Sequence, residues 1–441
     1  MYLYRFIYIF LKLILTGLQP LMSKKTQKFI QLRSDLNYLN YKIKNPIWFH
    51  ASSGEIEYCK SVILELKNKN PNQKIILSYS SASAEKLLFN IKNSVDLILP
   101  VPWDTEGSVL KILNHFEPQV IIFARTDFWP ELVISSYKKN IPLIAISMFP
   151  QFNFINKIIY KWLLSKFTII TTVNDHLTIQ LSHLLQKKVS PDFAIKFSNL
   201  SQPQILTVAD TRFDQVFNRL EQPSRLLFLN DSTDQKRIIF ASTWPEDELI
   251  IFKSFDQLIQ LGFQIILCPH DIERSEYLLS YSKTNFNCYS VSVLSDFKLN
   301  TEHQILIETS SPIIILDQVG FLADVYRSTQ FAFVGGSFKK RIHSVMEPLC
   351  AENIVMFGPA YANNPEAIES LEKKISFQIK TSLDILSIVN DETGYYKLIK
   401  AEIKKFTYSK KHASQNISHL INQLLNQQSL KENNESKSRK L

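Results

Sequence analysis

Residues 331–348 read FAFVGGSFKKRIHSVMEP, and this stretch decides which fold the rest of the chain must fit. It begins with the apolar run Phe331–Val334, turns at residues 335–337 and continues into a predicted helix that contains Glu347. A buried strand, a glycine turn and a helix together can hold an anion, because glycine allows close approach and the helix N-terminus presents free N–H groups. Glycine is scarce in this chain, with 9 in 441 residues, so a Gly-Gly pair is informative. The alternative interpretation is an ordinary strand-to-helix turn.

Length and composition indicate a globular protein of two or three domains, with 441 residues, 45% hydrophobic and 21% charged. The net charge of +9 suits a partner that carries phosphates, such as a nucleotide or an anionic membrane surface. We do not expect a nucleic-acid partner, because the basic residues are dispersed and no zinc-finger or RNP-like motif occurs.

Cysteine usage points to a reducing compartment. The four cysteines lie far apart without CxxC spacing, which predicts reduced and mostly buried thiols rather than disulfides or a metal site. No DxD pair calls for Mg²⁺ in nucleotide-sugar binding. We therefore predict neither a metal nor a cofactor.

Short apolar strands alternate with helical patterns from residue 46 onwards, and a second alternating series begins after the polar stretch 221–236. Repeated βα units predict parallel sheets covered by helices on both faces. We predict two doubly wound α/β domains that face each other across a central cleft, an arrangement typical of GT-B glycosyltransferases. The predicted parts are an anchoring or interfacial helix at 1–33, an acceptor-binding Rossmann-like domain at 34–205, a linker at 206–230, a nucleotide-sugar-binding Rossmann-like domain at 231–424 and a disordered tail at 425–441.

The first 19 residues are strongly apolar but are interrupted by Arg5 and Lys12. A spanning helix needs about 20 apolar residues with few charges, and no small-residue cleavage site follows. Basic residues at Lys24, Lys25, Lys28 and Arg33 favour the cytoplasmic side of a membrane. The segment therefore predicts either a single anchor or an interfacial helix, and the alternative is a first helix packed on the body of the protein.

Two carboxylates follow strands of the first series. Glu55 ends the tight turn Ser52-Ser53-Gly54, where a carboxylate can act as a general base or can simply complement the helix dipole. Asp127 lies in a loop after another strand, so both carboxylates are predicted at the edge where ligands bind. Such a pair is suited to activating a hydroxyl acceptor at a sugar centre.

The loop around Asp127 also supplies Arg125 and Trp129, which we predict to contact substrate, together with Ser52, Ser53 and Gly54. For Trp129 the alternative is packing at the strand end. At the corresponding edge of the second series, small hydroxyls and glycine amides are suited to a phosphate, and a carboxylate can accept from ribose hydroxyls. Lys339, Lys340 and Arg341 could neutralise a leaving phosphate or could form a solvated face.

These segments together resemble the Kdo (3-deoxy-D-manno-octulosonic acid) transferases of lipopolysaccharide synthesis, over about residues 45–370. The resemblance rests on motifs in the family's order: His50–Glu55 is similar to HAxSxGE, Arg125–Pro130 to ETExWP, Asp210–Asp214 to the segment joining the domains, Leu316–Gly320 with Phe333–Ser337 to D-x-x-G and FVGGS, and His343–Pro348 to HNxxEP.

The resemblance implies an inverting transferase that moves Kdo from CMP-Kdo to a lipid A precursor at the cytoplasmic face of the inner membrane. It implies that Glu55 deprotonates the acceptor hydroxyl and that Asp127 is a second acidic residue of the acceptor site. The residues predicted to bind CMP are Ser242, His270, Gly335, Gly336, Ser337, His343 and Glu347. The alternatives are a GT-B transferase for another nucleotide sugar and a non-catalytic membrane-associated protein of the same fold that binds lipid or nucleotide.

The chain departs from the family pattern at several positions. The first turn is one residue shorter, Arg125 replaces the first acid of ETExWP, Ser344 replaces the asparagine of HNxxEP, and Pro269-His270 lacks the arginine of PRH. These departures concern the acceptor contacts and the CMP contacts rather than Glu55.

Overall fold

The computed structural model describes residues 1–34, 37–150, 153–186, 203–228, 235–297, 299, 304–307, 309–390 and 395–438, without the side chains of 82, 85, 86, 154, 155 and 431–438. The chain divides into two compact units. Unit 1 comprises residues 1–214 and the C-terminal segment from His412, and unit 2 comprises Gln215–Lys411.

The strands and helices alternate along most of the chain. The strands are β1 Ile47–Ala51, β2 Ile75–Tyr79, β3 Leu97–Pro100, β4 Val120–Ala124, β5 Leu143–Met148, β6 Ile169–Thr172, β7 Gln204–Thr207, β8 Leu226–Phe228, β9 Lys236–Thr243, β10 Phe263–Pro269, β11 Val291–Val293, β12 Ile305–Ile307, β13 Ile313–Ile315, β14 Phe331–Val334, β15 Ile354–Phe357 and β16 Ser376–Gln378. The helices are α1 Tyr2–Gly17, α2 Lys24–Ser34, α3 Ile56–Lys69, α4 Glu85–Phe89, α5 Glu106–Phe116, α6 Pro130–Lys138, α7 Phe154–Leu164, α8 Asp175–Leu185, α9 Arg212–Glu221, α10 Pro245–Ile251, α11 Phe255–Gln260, α12 Ser275–Asn285, α13 Leu322–Tyr326, α14 Met346–Cys350, α15 Pro365–Glu372, α16 Ser382–Val389, α17 Tyr395–Tyr408 and α18 Ala413–Ser438.

Unit 1 is built on a parallel sheet with the strand order β3-β2-β1-β4-β5-β6-β7. Its central strands are buried along their whole length, as expected for a parallel sheet covered on both faces. Successive residues of β1 enter opposite cores: Ile47 and Phe49 pack with α3 and α18, whereas Trp48 packs with α5 and α6. This alternation is the two-residue period of a strand.

Unit 2 repeats the plan with the parallel order β11-β13-β10-β9-β14-β15-β16, beside a separate parallel pair, β8 and β12. The predicted α/β architecture of two doubly wound sheets is therefore confirmed. The predicted central cleft concerns the arrangement of the two units and stays a prediction.

Near the centre of each sheet the chain crosses to the opposite side of that sheet's first strand, so that the order reverses between β1 and β4 in unit 1 and between β9 and β14 in unit 2. In open parallel sheets, ligands bind beyond the carboxyl ends of the strands at such reversals. Glu55 follows β1 and the loop Arg125–Trp129 follows β4, whereas Trp244 follows β9 and Gly335 follows β14. The candidate residues of each unit are thus gathered at its reversal.

The C-terminal end of the chain differs from the sequence prediction. α18 continues to Ser438, so the predicted disordered tail is helical over residues 425–438, and residues 439–441 lie outside the described residues. The helix also belongs to unit 1 instead of the predicted domain at 231–424, because Ile417, Leu420 and Leu424 pack on α3. Their helical spacing provides the apolar stripe that this packing buries. The predicted linker at 206–230 contains α9 and β8, and the division between the units falls within it, after Asp214.

The N-terminal segment forms α1, a helix of 16 residues that contains no buried residue. None of the helices in the described part of the chain combines the length and the apolar character needed to cross a bilayer. Association of α1 with a membrane stays a prediction.

Candidate active site

Glu55 lies directly before α3, at the end of the turn that follows β1. Its Oε2 is 3.4 Å from the backbone N of Ser52, which donates to it. Burial raises the pKa of Glu55, the hydrogen bond from Ser52 and the charge of Arg125 oppose the rise, and the charge of Asp127 adds to it. A carboxylate with a raised pKa holds a proton more strongly, as a general base requires.

Asp127 is held by a continuous series of hydrogen bonds that begins inside the sheet. Trp48 Nε1 donates to Ser78 Oγ over 2.8 Å, and Ser78 Oγ lies 2.8 Å from Nδ1 of His50. His50 Nε2 lies 3.2 Å from Asp127 Oδ2, which also accepts from Ser80 Oγ over 2.6 Å. In the tautomer that carries its proton on Nε2, His50 accepts from Ser78 through Nδ1 and donates to Asp127 through Nε2.

This hydrogen-bond network changes the pKa of Asp127. Burial by itself raises the pKa of Asp127, but the hydrogen bonds from His50 and Ser80 outweigh burial and lower the pKa below its ordinary value. Asp127 therefore remains ionised while Glu55 binds a proton more readily. Two neighbouring carboxylates with pKa values displaced in opposite directions are suited to different roles in one reaction.

Arg125 adopts a left-handed backbone conformation with φ of 58°, which is uncommon for a residue other than glycine. Its guanidinium carbon lies 5.0 Å from the ring centre of Tyr58 and 5.1 Å from that of Phe149. Its Nη1 is buried and makes no hydrogen bond to the described residues. The basic side chain that stands in place of a family acid is thus packed between aromatic rings, with donor capacity unused.

The other residues of unit 1 that are predicted to contact substrate differ in their structural surroundings. Ser52 contributes its backbone N–H to Glu55, and Ser53 belongs to the same turn. A Cβ added at Gly54 meets none of the described atoms within 4 Å, so these residues do not themselves require glycine there. Trp129 packs its ring at 6.4 Å from His50, which supports the packing interpretation that the sequence left open.

In unit 2 the glycine turn after β14 is filled by the protein itself. A Cβ at Gly335 would lie 2.3 Å from the carbonyl oxygen of Ser242, so only glycine fits there. Gly336, with φ of 80°, donates its N–H to Asp247 Oδ2 over 2.7 Å, and Phe338 N donates to Asp247 Oδ1 over 3.1 Å. The amide predicted to hold a phosphate is therefore already paired with an internal carboxylate.

The hydroxyl of Ser337 is also engaged. It donates to Val334 O over 3.0 Å and accepts from Gly358 N over 2.7 Å, and the side chain is completely buried. The hydroxyl thus ties the turn to the end of β15. Any contribution of Gly336 and Ser337 to CMP binding would come through the shape of the turn and not through these two groups.

Three rings form a platform at this edge of unit 2. Trp244 Nε1 donates to His343 Nε2 over 3.0 Å, and His270 stacks on both rings, with centroid separations of 4.6 Å from Trp244 and 4.4 Å from His343. Burial, assisted by nearby His270, lowers the pKa of His343 to about 4. His343 is therefore neutral near pH 7, in agreement with its acceptor role. Lys339 Nζ lies 3.5 Å from the ring centre of Trp244.

The remaining predicted CMP contacts lie near the platform in sequence. Ser242 has a left-handed backbone, with φ of 53°, at the close approach to Gly335. Glu347 is paired with Arg219, whose Nη1 is 2.7 Å from Glu347 Oε1.

Sequence reasoning missed Ser78, which gives polarity to an otherwise apolar strand, and Asp247, which follows the helix-start signal of Pro245. Their partners are remote in sequence, so a local pattern could not name them.

Comparisons with known proteins relate the sequence of this chain to one family. Residues 24–199 match the family model described as 3-deoxy-D-manno-octulosonic-acid transferase (kdotransferase). The chain is 26% identical to the 3-deoxy-D-manno-octulosonic acid transferase of Rickettsia typhi, over 77% of this chain and 70% of that protein. It is 24% identical to the Aquifex aeolicus protein of the same description, over 82% of this chain and 90% of that protein.

The chain is thus similar to Kdo transferases over most of its length, and residues 24–199 carry the match to the family model. Among solved structures it is similar to Acinetobacter baumannii MurG, with a TM-score of 0.51 and 10% identity over 86% of this chain and 100% of that chain. That likeness shows the GT-B fold. The predicted resemblance to the Kdo transferases and the predicted GT-B fold class are thus confirmed, whereas the individual site residues stay predictions.

Proposed function

We propose that this chain is an inverting glycosyltransferase that moves Kdo from CMP-Kdo to a hydroxyl group of a lipid A precursor. The observation that carries the proposal is the pair of carboxylates at the reversal of the unit 1 sheet, where Glu55 has a raised pKa beside the ionised Asp127. This pair lies within the part of the chain that the family model covers. The names of the relatives support the choice of sugar.

In the proposed reaction Glu55 accepts the proton of the acceptor hydroxyl as its oxygen bonds to the anomeric carbon of Kdo. The bond from that carbon to the phosphate oxygen breaks, and CMP leaves with the electron pair. Asp127 accepts a hydrogen bond from the acceptor sugar and stabilises positive charge that develops at the anomeric centre. Attack from the face opposite the leaving group inverts the configuration.

For the donor, unit 2 offers an aromatic and basic edge. The ring platform of Trp244, His270 and His343 provides a surface for a planar base, and Glu347 remains a candidate acceptor for ribose hydroxyls. Because Asp247 occupies the Gly336 amide, we assign the phosphate to the ammonium of Lys339 near the platform. A cation there would also stabilise the departing CMP.

The direct test is to incubate the full-length protein with CMP-Kdo and a tetra-acylated lipid A precursor, beside Glu55→Ala. Mass spectrometry of the lipid should show the addition of one or more Kdo residues by the wild type and none by the variant. Binding of CMP without transfer to any acceptor would favour another nucleotide sugar, which a panel of donors would identify. Absence of CMP binding would overturn the enzymatic proposal in favour of a non-catalytic protein.

We also propose that α1 lies on the cytoplasmic surface of the inner membrane. Its apolar side chains face outward, with Leu3, Phe6, Phe10 and Leu13 between 58% and 73% exposed. An exposed apolar helix face suits the interface of a bilayer better than water. An acylated acceptor embedded in that bilayer would then lie near the enzyme.

Replacing both Phe6 and Phe10 with serine should weaken binding to phosphatidylglycerol-containing vesicles by about 10²-fold or more, because each phenylalanine loses about 1.5–3 kcal/mol of burial. Co-sedimentation measures this affinity. Leu383→Ser, which alters an equally exposed leucine in unit 2, is the matched control and should bind like the wild type. Equal binding by all three proteins would contradict the interfacial assignment.

A further inference from the structure

The inward face of α1 is attached to unit 1 through polar groups. Tyr4 donates its hydroxyl proton to Asp104 Oδ2 over 2.5 Å. Arg5 forms a bidentate pair with Glu131, with Nε to Oε2 at 2.7 Å and Nη2 to Oε1 at 2.9 Å, and its Nη1 is 2.8 Å from Glu106. Asp104 and Glu131 are almost completely buried. A helix that served only as a tether would not need to pair with buried carboxylates.

Asp104 also fixes the start of α6, the helix at which the loop of Asp127 ends. Asp104 accepts from the backbone N of Glu131 over 2.8 Å and of Leu132 over 3.0 Å. Both amides belong to the first turn of α6, which would otherwise lack partners, so Asp104 caps the helix that follows the loop. Departure of α1 would deprive the Glu131 carboxylate of its cationic partner Arg5, which would be unfavourable. The position of α1 and the start of α6 are therefore linked.

A second path leads from α1 to the same loop through aromatic rings. The guanidinium of Arg33 lies 4.6 Å from the ring centres of both Trp103 and Trp129. Its Nη2 donates to Tyr8 of α1 over 3.2 Å. The Tyr8 ring meets Trp129 edge-on at 6.3 Å, and Trp129 meets His50 at 6.4 Å. Since His50 bonds to Asp127, the ring contacts extend from α1 to the candidate site.

We propose that α1 is an integral part of the acceptor site and that Arg5 and Arg33 are positioning residues for Asp127. This inference rests on the proposed function only where it concerns turnover. It goes beyond membrane attachment, because the inward face of α1 acts on the loop whereas the outward face contacts lipid. The two faces can therefore be altered separately.

The test compares Arg5→Gln with Lys44→Gln, which removes a cation from an exposed pair with Glu117 in the same unit. Three properties of the full-length protein are measured: hydrogen exchange of residues 125–129, turnover with the lipid A precursor dispersed in detergent, and co-sedimentation with phosphatidylglycerol-containing vesicles. The amide of Phe128 is a suitable probe, because it donates to Thr126 O over 2.9 Å.

For Arg5→Gln we expect about tenfold faster exchange in the loop and about tenfold lower kcat. A tenfold change corresponds roughly to the net free energy of one charge-assisted hydrogen bond. The KM for CMP-Kdo and vesicle binding should match the wild type, and Arg5→Lys should recover part of kcat, because lysine keeps the charge without the bidentate fork. Lys44→Gln should change none of these. If Arg5→Gln exchanges and turns over like the wild type, α1 is an anchor only and the proposal is overturned.

Arg33→Lys keeps the proposal testable if Arg5→Gln fails to fold. It preserves the charge but removes the planar group between Trp103 and Trp129, so faster loop exchange and altered tryptophan fluorescence are expected. Unchanged exchange and fluorescence in this variant would also overturn the proposal. If the wild type transfers no Kdo, the proposed function fails, whereas loop exchange still decides whether α1 positions the loop.

Discussion

Glu55→Gln should lower the turnover of Kdo transfer by about 10²–10⁴-fold, the range that a positioned general base contributes. Glutamine retains the size of the side chain and can still accept from the Ser52 amide, but it cannot take the proton of the acceptor hydroxyl. Binding of CMP, measured by calorimetry, should stay within about twofold of the wild type, because the candidate donor residues belong to unit 2. Glu65→Gln, on the same helix α3, is the control and should be fully active.

The pH dependence provides an independent check of the same assignment. Since burial and the charge of Asp127 raise the pKa of Glu55, the basic form is lost as pH falls through that raised value. The acidic limb of kcat/KM should therefore lie above the ordinary pKa of glutamate, and Asp127→Asn should move it to lower pH. A limb at or below the ordinary value would exclude Glu55 as the base.

The raised pKa also has a consequence for stability. Between the unfolded and the folded pKa of Glu55 the native state binds more protons, so this residue's contribution to stability falls as pH rises through that window. At neutral pH the buried charge is a cost, and Glu55→Gln should be at least as stable as the wild type. An inactive variant with a normal or raised melting temperature would separate catalysis from folding.

How much of this structure could be predicted from sequence depends on how local each signal is. The short buried runs that become β1, β4, β9 and β14 predict parallel strands, because both faces of such strands are covered. The turns directly after them then fall at one edge, which explains why Glu55 and Asp127 could be named. The prediction that places residues 413–424 in the second domain differs from the structure, since nothing near Ile417 indicates that its partner is α3, more than 300 residues earlier.

Within the candidate site, the same distinction separates what was found from what was missed. A carboxylate in a turn can be recognised from its neighbours in sequence. The hydrogen bonds that shift its pKa, however, join residues that are far apart in sequence. His50 meets Asp127 across 77 positions of sequence, and Asp247 meets Gly336 across 89. The glycine turn was predicted from its composition, whereas its occupation by an internal carboxylate depends on β9 and β14 lying side by side.

Asp247 is accordingly a residue of unit 2 whose loss should cost considerable stability. Its carboxylate is fully buried and accepts from three backbone amides: Trp244 at 2.9 Å, Gly336 at 2.7 Å and Phe338 at 3.1 Å. Burial raises the pKa of this carboxyl, and the three amides act against that rise by stabilising the ionised form. The side chain joins the turn after β9 to the turn after β14, and so holds together the two segments that carry the candidate CMP contacts.

Asp247→Ala should lower the free energy of unfolding by about 3 kcal/mol, because buried amides left unpaired cost about 1–3 kcal/mol each and water can satisfy some of them. Asp247→Asn should also destabilise, since its NH₂ group would face amide donors where a second acceptor oxygen is needed. Urea unfolding and calorimetric titration with CMP measure the two effects, and CMP affinity should fall with stability because the turn loses its shape.

Asp256→Ala, which removes an exposed acid of the neighbouring α11, should alter neither property. An Asp247→Ala protein with the wild-type urea midpoint and CMP affinity would mean that the glycine turn keeps its form without the carboxylate, and its amides would again become candidates for the phosphate.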